Sequence, residues 1–142
     1  MPKDFNFSLT YGAYGKKKID TFNDIIIKDL VEEGTIEASI VLTEEEMRSI
    51  YKEMMSIHIM DELDLDKDKE CDAEPSSISV WKVQMDGETK SFYHKTYCDY
   101  PEDVKNLLKL ENYIHGIIVG KEEYERLPEI NGSYALRKIR IL

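Results

Sequence analysis

The chain has 142 residues, 29 acidic against 19 basic side chains, a net charge of −10 and a pI near 4.8. That balance excludes general affinity for nucleic acid, because a phosphate backbone demands clustered Lys and Arg and the longest basic run here is Lys16-Lys17-Lys18. No apolar run approaches the roughly 18 residues needed to cross a bilayer, and the opening Met1-Pro2-Lys3-Asp4 lacks the apolar core of an export signal, as would a mature chain from which such a signal had been cut.

Phe5 to Tyr11 alternates apolar and polar strictly, the period-two pattern of a strand with Phe5, Phe7, Leu9 and Tyr11 facing inward. Gly12 to Lys18 reads as a turn-rich loop. Residues 22–30, centred on Ile25-Ile26-Ile27, form a second strand, and Gly34 separates it from a third over 35–42. Thr43 with Glu46 is a capping box, and Leu42 with Met47 a hydrophobic staple, so a helix starts there. Met47, Ile50, Tyr51, Met54 and Ile57 or His58 recur at helical spacing and give about four turns with one face for the sheet. The acidic stretch from Asp61 to Glu74 has no sustained period and reads as a solvated loop.

Residues 77–85 and 90–97 then flank Asp86-Gly87, a favoured two-residue hairpin turn whose register sets Trp81 opposite Phe92, while a wider loop would shift that register. Pro101 suits the first turn of a second helix, whose inner side is marked by Val104, Leu107, Leu108, Leu110, Ile114, Ile117 and Ile118, and which Gly120 interrupts. Residues 122–127 add a helical piece stopped by Pro128, and Asn131-Gly132 turns the chain into a last strand over 134–141. The reading is one α+β domain over 1–142: a mostly antiparallel sheet of about six strands with two main helices, in the order βββαββαβ. Regular βαβ alternation and a Gly-rich phosphate loop are both lacking, which argues against doubly wound nucleotide-binding folds.

Cys71 and Cys98 bracket the hairpin. A bridge between them would staple its base and belong to an oxidising compartment, whereas two reduced thiols would leave the chain in the cytosol. The cysteines lack the close pairing of zinc knuckles. In the acidic stretch, counting from Asp64, Lys69 stands where an EF-hand needs Gly and Pro75 where it needs a bidentate Glu. His58, His94 and His115 sit in no nucleophile motif, and spacing picks out no carboxylate pair suited to glycoside hydrolysis. The sequence therefore assigns no catalytic residue, metal ligand or cofactor. Nine tyrosines stand out, and Tyr11, Tyr14, Tyr93, Tyr97 and Tyr100, near strand ends or loops, are candidates for an interaction surface.

Phe5-x-Phe-x-Leu-x-Tyr-Gly12, Asp20-Thr21-Phe22-Asn23 with Lys28-Asp29, the helix start at Leu42-Thr43-Glu44-Glu45-Glu46 with Ile50-Tyr51, and Lys121-Glu122-Glu123-Tyr124 with Leu127-Pro128 together resemble a family of uncharacterised small exported lipoproteins of Gram-positive spore-forming bacteria. The resemblance implies an extracytoplasmic, cell-surface location through a lipid anchor that this chain does not carry. It implies no activity. The expected function is a non-enzymatic binding domain for a protein or a cell-envelope component. The alternatives are an inhibitor or immunity-type protein that meets a basic enzyme through its acidic surface, and a small hydrolase with dispersed acidic residues.

Overall fold

The computed structural model describes residues 1–134. Strands β1 (Asn6–Tyr11), β2 (Lys17–Asp20), β3 (Ile25–Asp29) and β4 (Thr35–Ser39) precede helix α1 (Glu44–Ser56). The hairpin β5 (Ile78–Met85) and β6 (Glu88–Lys95) follows, then α2 (Glu102–Val119) and the short α3 (Glu122–Glu125). The strands form one antiparallel sheet in the order β4-β3-β2-β1-β5-β6. The fold is the expected α+β arrangement of a six-stranded sheet with two main helices. The expected last strand, apart from Tyr134, lies outside the described residues.

β2 corrects the sequence reading, which made Gly12–Lys18 a loop. Its basic residues hide a strand in which only Ile19 reaches the core, while the Lys17 stem lies along the Tyr11 ring opposite it, with Nζ 5.6 Å from the ring centroid. The turn before it requires glycine at position 15, where φ is +61° and a Cβ would stand 2.8 Å from Ile78 Cγ2. The second expected strand starts three residues late, at Ile25, because the Asp20 carboxylate accepts from Phe22 N at 2.9 Å, Asn23 N at 3.3 Å and Asn23 Nδ2 at 2.9 Å. Those bonds curl residues 20–23 into a turn instead of a ladder.

α1 begins at the expected capping box: Thr43 Oγ1 accepts from Glu46 N, and Glu46 Oε1 accepts from Thr43 N at 2.8 Å. It ends earlier than the apolar stripe suggests. His58 adopts φ +55°, its N–H donates to Met55 O, and Ile59 N donates to Met54 O at 3.1 Å, the bond pair of a Schellman cap. That reversal turns Ile59, and not Ile57 or His58, fully into the core. Pro101 occupies the N-cap of α2 rather than its first turn. Leu108 and Ile117 are only half-buried, while Val104, Leu107, Leu110, Ile114 and Ile118 are buried against the sheet. Lys121 Nζ, 2.7 Å from Glu46 Oε1, links the end of α2 to the start of α1.

At the hairpin, Asp86 (φ 52°) and Gly87 (φ 78°) form the expected two-residue turn, and Trp81 pairs with Phe92 as the register required. Phe7, Leu9, Ile19, Ile26, Trp81 and Val83 lie on the face that meets the helices and share one core cluster with α1 and α2.

Candidate functional site

Cys71 and Cys98 are disulfide-bonded, with Cα atoms 5.2 Å apart. The bridge does more than staple the hairpin: it welds a short extra ladder to the end of β6. Glu70 bridges Tyr97, Cys71 N donates to Thr96 O and Cys98 N donates to Lys69 O, both at 2.9 Å. A single 3-10 turn, Lys67–Lys69, delivers the acidic segment to this point. Beyond Cys71 the segment crosses to the β1–β2 turn, where Tyr14 N donates to Ser76 O at 2.7 Å and Tyr14 OH donates to Glu74 Oε2 at 2.7 Å.

Between the tethered segment and the ends of β5 and β6 lies an open groove of about 810 Å³ whose lining includes Tyr14, Asp72, Glu74, Ser77, Lys95 and Thr96. Cys71 of the bridge forms part of its wall. Carboxylates, hydroxyls and one ammonium line a concave surface held on one side by strands and on the other by a covalent tether. Such a surface can hydrogen-bond a polar ligand at little ordering cost, since the bridge has already restricted the loop.

The five tyrosines do not form one patch. Tyr11 is only 5% exposed and its OH lies 2.6 Å from His115 Nδ1. Tyr97 is 4% exposed, donates to Leu65 O at 2.9 Å, and has its phenol pushed up to about 12 by burial and by the Glu70, Asp66 and Asp64 carboxylates. These two are core and loop anchors, which corrects their reading as surface residues. Tyr11 ends β1 and Tyr97 lies just beyond β6, where the chain still faces the helices or the acidic segment, so position along the chain misled. Tyr14 and Tyr93 are each 45% exposed, the first at the groove and the second on β6 with Lys67 Nζ 3.5 Å from its ring centroid. Tyr100 is half-buried beside Tyr97, their ring centroids 5.5 Å apart.

A second polar cluster lies between α2 and the sheet, and sequence reasoning missed it. Ser79 donates to Glu111 Oε1, one helical turn before His115 and its Tyr11 contact. Burial raises the Glu111 carboxyl and lowers the His115 imidazole, the nearby Lys17 ammonium adding to the latter. The i, i+4 spacing of Glu111 and His115 was visible in the sequence, but the partners come from β1 and β5 and are set only by the packing of α2. The cluster fastens the helix to the sheet: its contacts run Ser79 to Glu111 and Tyr11 to His115, so the serine donates to a carboxylate and not to an imidazole. Among the described residues, no group of three or more His, Cys, Asp or Glu converges to hold a metal ion.

His94 is buried on the same side of the sheet, and Trp81 Nε1 donates to its Nε2 at 3.1 Å. The indole can only donate, so Nε2 must be unprotonated. Burial, aided by Lys67, pulls the imidazole down to about 4 from an ordinary 6.5. A depressed folded pKa favours the neutral form, so this contribution is complete above pH 6.5 and is lost as pH falls towards 4, on the order of 3 kcal/mol. Urea midpoints measured across that window should fall in the wild type. They should fall less in His94→Gln, whose amide oxygen can accept the indole N–H; equal slopes would show that other groups carry the acid sensitivity.

The fold and groove thus define a disulfide-tethered α+β domain with a polar cleft at the end of its hairpin. No protein-family model matches the sequence, and no curated protein matches it.

Proposed function

We propose that this chain is a non-enzymatic binding domain of an exported, surface-anchored protein, and that the groove beside the Cys71–Cys98 bridge receives a polar protein segment or envelope component. The groove carries the reading: a concave, hydrogen-bonding surface with one wall covalently fixed to the sheet. The disulfide supports an extracytoplasmic setting, since such bonds persist where thiols are not kept reduced. The resemblance to small exported lipoproteins points the same way and supplies the anchor.

The test has two parts. Intact mass after alkylation, with and without reduction, on protein from its native host should show cysteines that react only after reduction, together with an N-terminal lipid mass; two freely alkylated thiols on an unlipidated chain would reject the compartment. Immobilised domain should retain a component of envelope extract, and Ser77→Arg, which fills the groove, should weaken retention about tenfold, a loss of about 1.4 kcal/mol. Retention indifferent to that change, or hydrolytic activity in a substrate screen, would reject the groove as a binding site.

A further inference from the structure

The helix-facing side chains at one end of the sheet form a polar row. Register pairs Lys28 with Ile36, Lys17 with Tyr11 and Ser79 with His94; one residue on from the Lys18–Ile27 pair, Lys17 stands opposite Lys28. Lys17 lies two residues before Ile19 and Lys28 two after Ile26, both core residues, so alternation turns the two lysines towards the helices. Directly opposite side chains have Cβ atoms about 5 Å apart, and like charges there repel. Lys28 is only 8% exposed, and its Nζ sits 4.8 Å from the Tyr124 ring centroid on α3, while Lys17 is half-buried against Tyr11. Among the described residues neither ammonium forms a hydrogen bond or an ion pair. The strand carboxylates Asp20, Asp29 and Glu37 alternate to the other face, Glu46 meets Lys121, and Glu122, Glu123 and Glu125 of α3 are exposed. Facing the row from α2 are Glu111, which accepts from Ser79, and His115, bound to Tyr11. The Lys17 charge reaches both: it acts on Glu111 after burial and the Ser79 bond, and on His115 after burial. Two ammonium groups thus face one carboxylate that is already hydrogen-bonded, an excess of positive charge inside a chain of net charge −10.

We propose that Lys17 and Lys28, between the sheet and Tyr124 of α3, bind a compact oxyanion: the dianionic phosphate group of inorganic phosphate or of a phosphomonoester. A buried ammonium without a carboxylate partner is costly, and a second one opposite it adds repulsion; an anion held between them removes both penalties. Two cations select a group that carries two charges on neighbouring oxygens, whereas a monocarboxylate balances only one of them. The long, flexible lysine stems let both Nζ atoms converge on one such group. The Tyr11 and Tyr124 rings hold the ammonium groups by cation–π contact without neutralising them. Burial raises both phenols, so at neutral pH they are uncharged hydroxyls and not rival anions. Lys17 and Tyr124 keep part of their surface in solvent, which gives a small ion its way in. Lys17, Lys28 and Tyr124 lie outside the groove lining, so this site and the groove stand or fall separately.

Titration of the full, disulfide-bonded chain with inorganic phosphate tests it, read by NMR chemical shifts and by thermal melting. Phosphate should give saturable shifts at Lys17, Lys28 and Tyr124 and raise the melting temperature, as a ligand of the folded state alone does. Chloride and acetate at equal ionic strength should do neither. Lys17→Met and Lys28→Met keep an apolar stem and lose the charge, and each should weaken phosphate binding at least about tenfold. Lys18→Met, on the opposite face, should leave it unchanged. If Lys28→Met does not fold, the half-buried Lys17→Met carries the comparison. A parallel titration with glycerol phosphate separates the sources: tighter binding than inorganic phosphate assigns the site to an organic phosphomonoester, weaker binding to the free ion, and either supports it. No saturable shift, shifts reproduced by chloride or acetate, or an affinity unchanged in the folded lysine variants would each overturn the proposal.

Discussion

Replacing Cys71 and Cys98 together by serine should lower the unfolding free energy by roughly 3–4 kcal/mol. The two residues are 27 apart in sequence, and the chain-entropy cost of closing a loop of that length has this size at 25 °C. Against a typical total of about 5–15 kcal/mol, the loss is a large share. The core clusters Trp81, Leu9 and Ile114 without the bridge, so the variant should still fold at low temperature. The change should fall unevenly: amides of residues 69–77 and 96–98, held by the two ladder hydrogen bonds flanking the bridge, should exchange much faster, while β1 and β5 amides should change the least. Denaturant melts and hydrogen exchange on oxidised wild type and the double variant measure both effects. A drop under about 1 kcal/mol, or uniform exchange across the sheet, would show that the ladder and the Tyr97–Leu65 bond hold the segment without the bridge. Envelope retention should fall with the loop, since the tethered segment is one groove wall.

Trp81→Ala should cost at least 3–5 kcal/mol, the usual range for emptying a buried indole site. Trp81 is fully buried in the second-to-last strand of the sheet, with its ring 6.2 Å from that of Phe92, and it sits between Leu9 and Phe92 across the register. Removing it opens a cavity and strips His94 Nε2 of its donor, leaving a buried nitrogen unpaired at a further cost of about 1–3 kcal/mol. Trp81→Phe separates the two terms: it keeps most of the apolar volume and loses the hydrogen bond alone. Urea denaturation should rank wild type above Trp81→Phe and Trp81→Phe well above Trp81→Ala. Equal stabilities for the two variants would mean that the hydrogen bond, and not the volume, dominates at this position.

Local rules carried much of the fold. The strict alternation of Phe5 to Tyr11, the Thr43–Glu46 cap and the Asp86-Gly87 turn are each set by a few neighbouring residues, and each appears in the structure where those residues place it. The Trp81–Phe92 pairing is the one a two-residue turn predicts, and the structure adopts that turn over a wider loop. β2 was illegible because a four-residue strand with two lysines and one core side chain has no period to detect; it exists because β1 and β3 offer edges on both sides. The end of α1 was misplaced because the apolar stripe runs on through a left-handed residue at His58, and a stripe cannot distinguish a continuing helix from a reversal that buries Ile59.

The candidate sites divide the same way. The two cysteines and their place about the hairpin were plain in the sequence, whereas the groove beside them depends on the acidic segment returning to Tyr14, sixty residues earlier than Glu74 in the chain. Proximity in sequence said nothing of which tyrosines were covered: Tyr11 is sealed by α2 through His115, and Tyr97 by Leu65. Nor could composition show that Lys18, Lys82 and Lys95 share the outer face of the sheet, because that follows only from the register of four strands. By itself the sequence determined the α+β class, the strand faces, the helix start and the hairpin register, all of which rest on short-range periodicity and turn chemistry. Tertiary structure alone decided the strand order, the groove and the Ser79–Glu111 and Tyr11–His115 contacts, because each joins residues whose meeting depends on how distant elements pack.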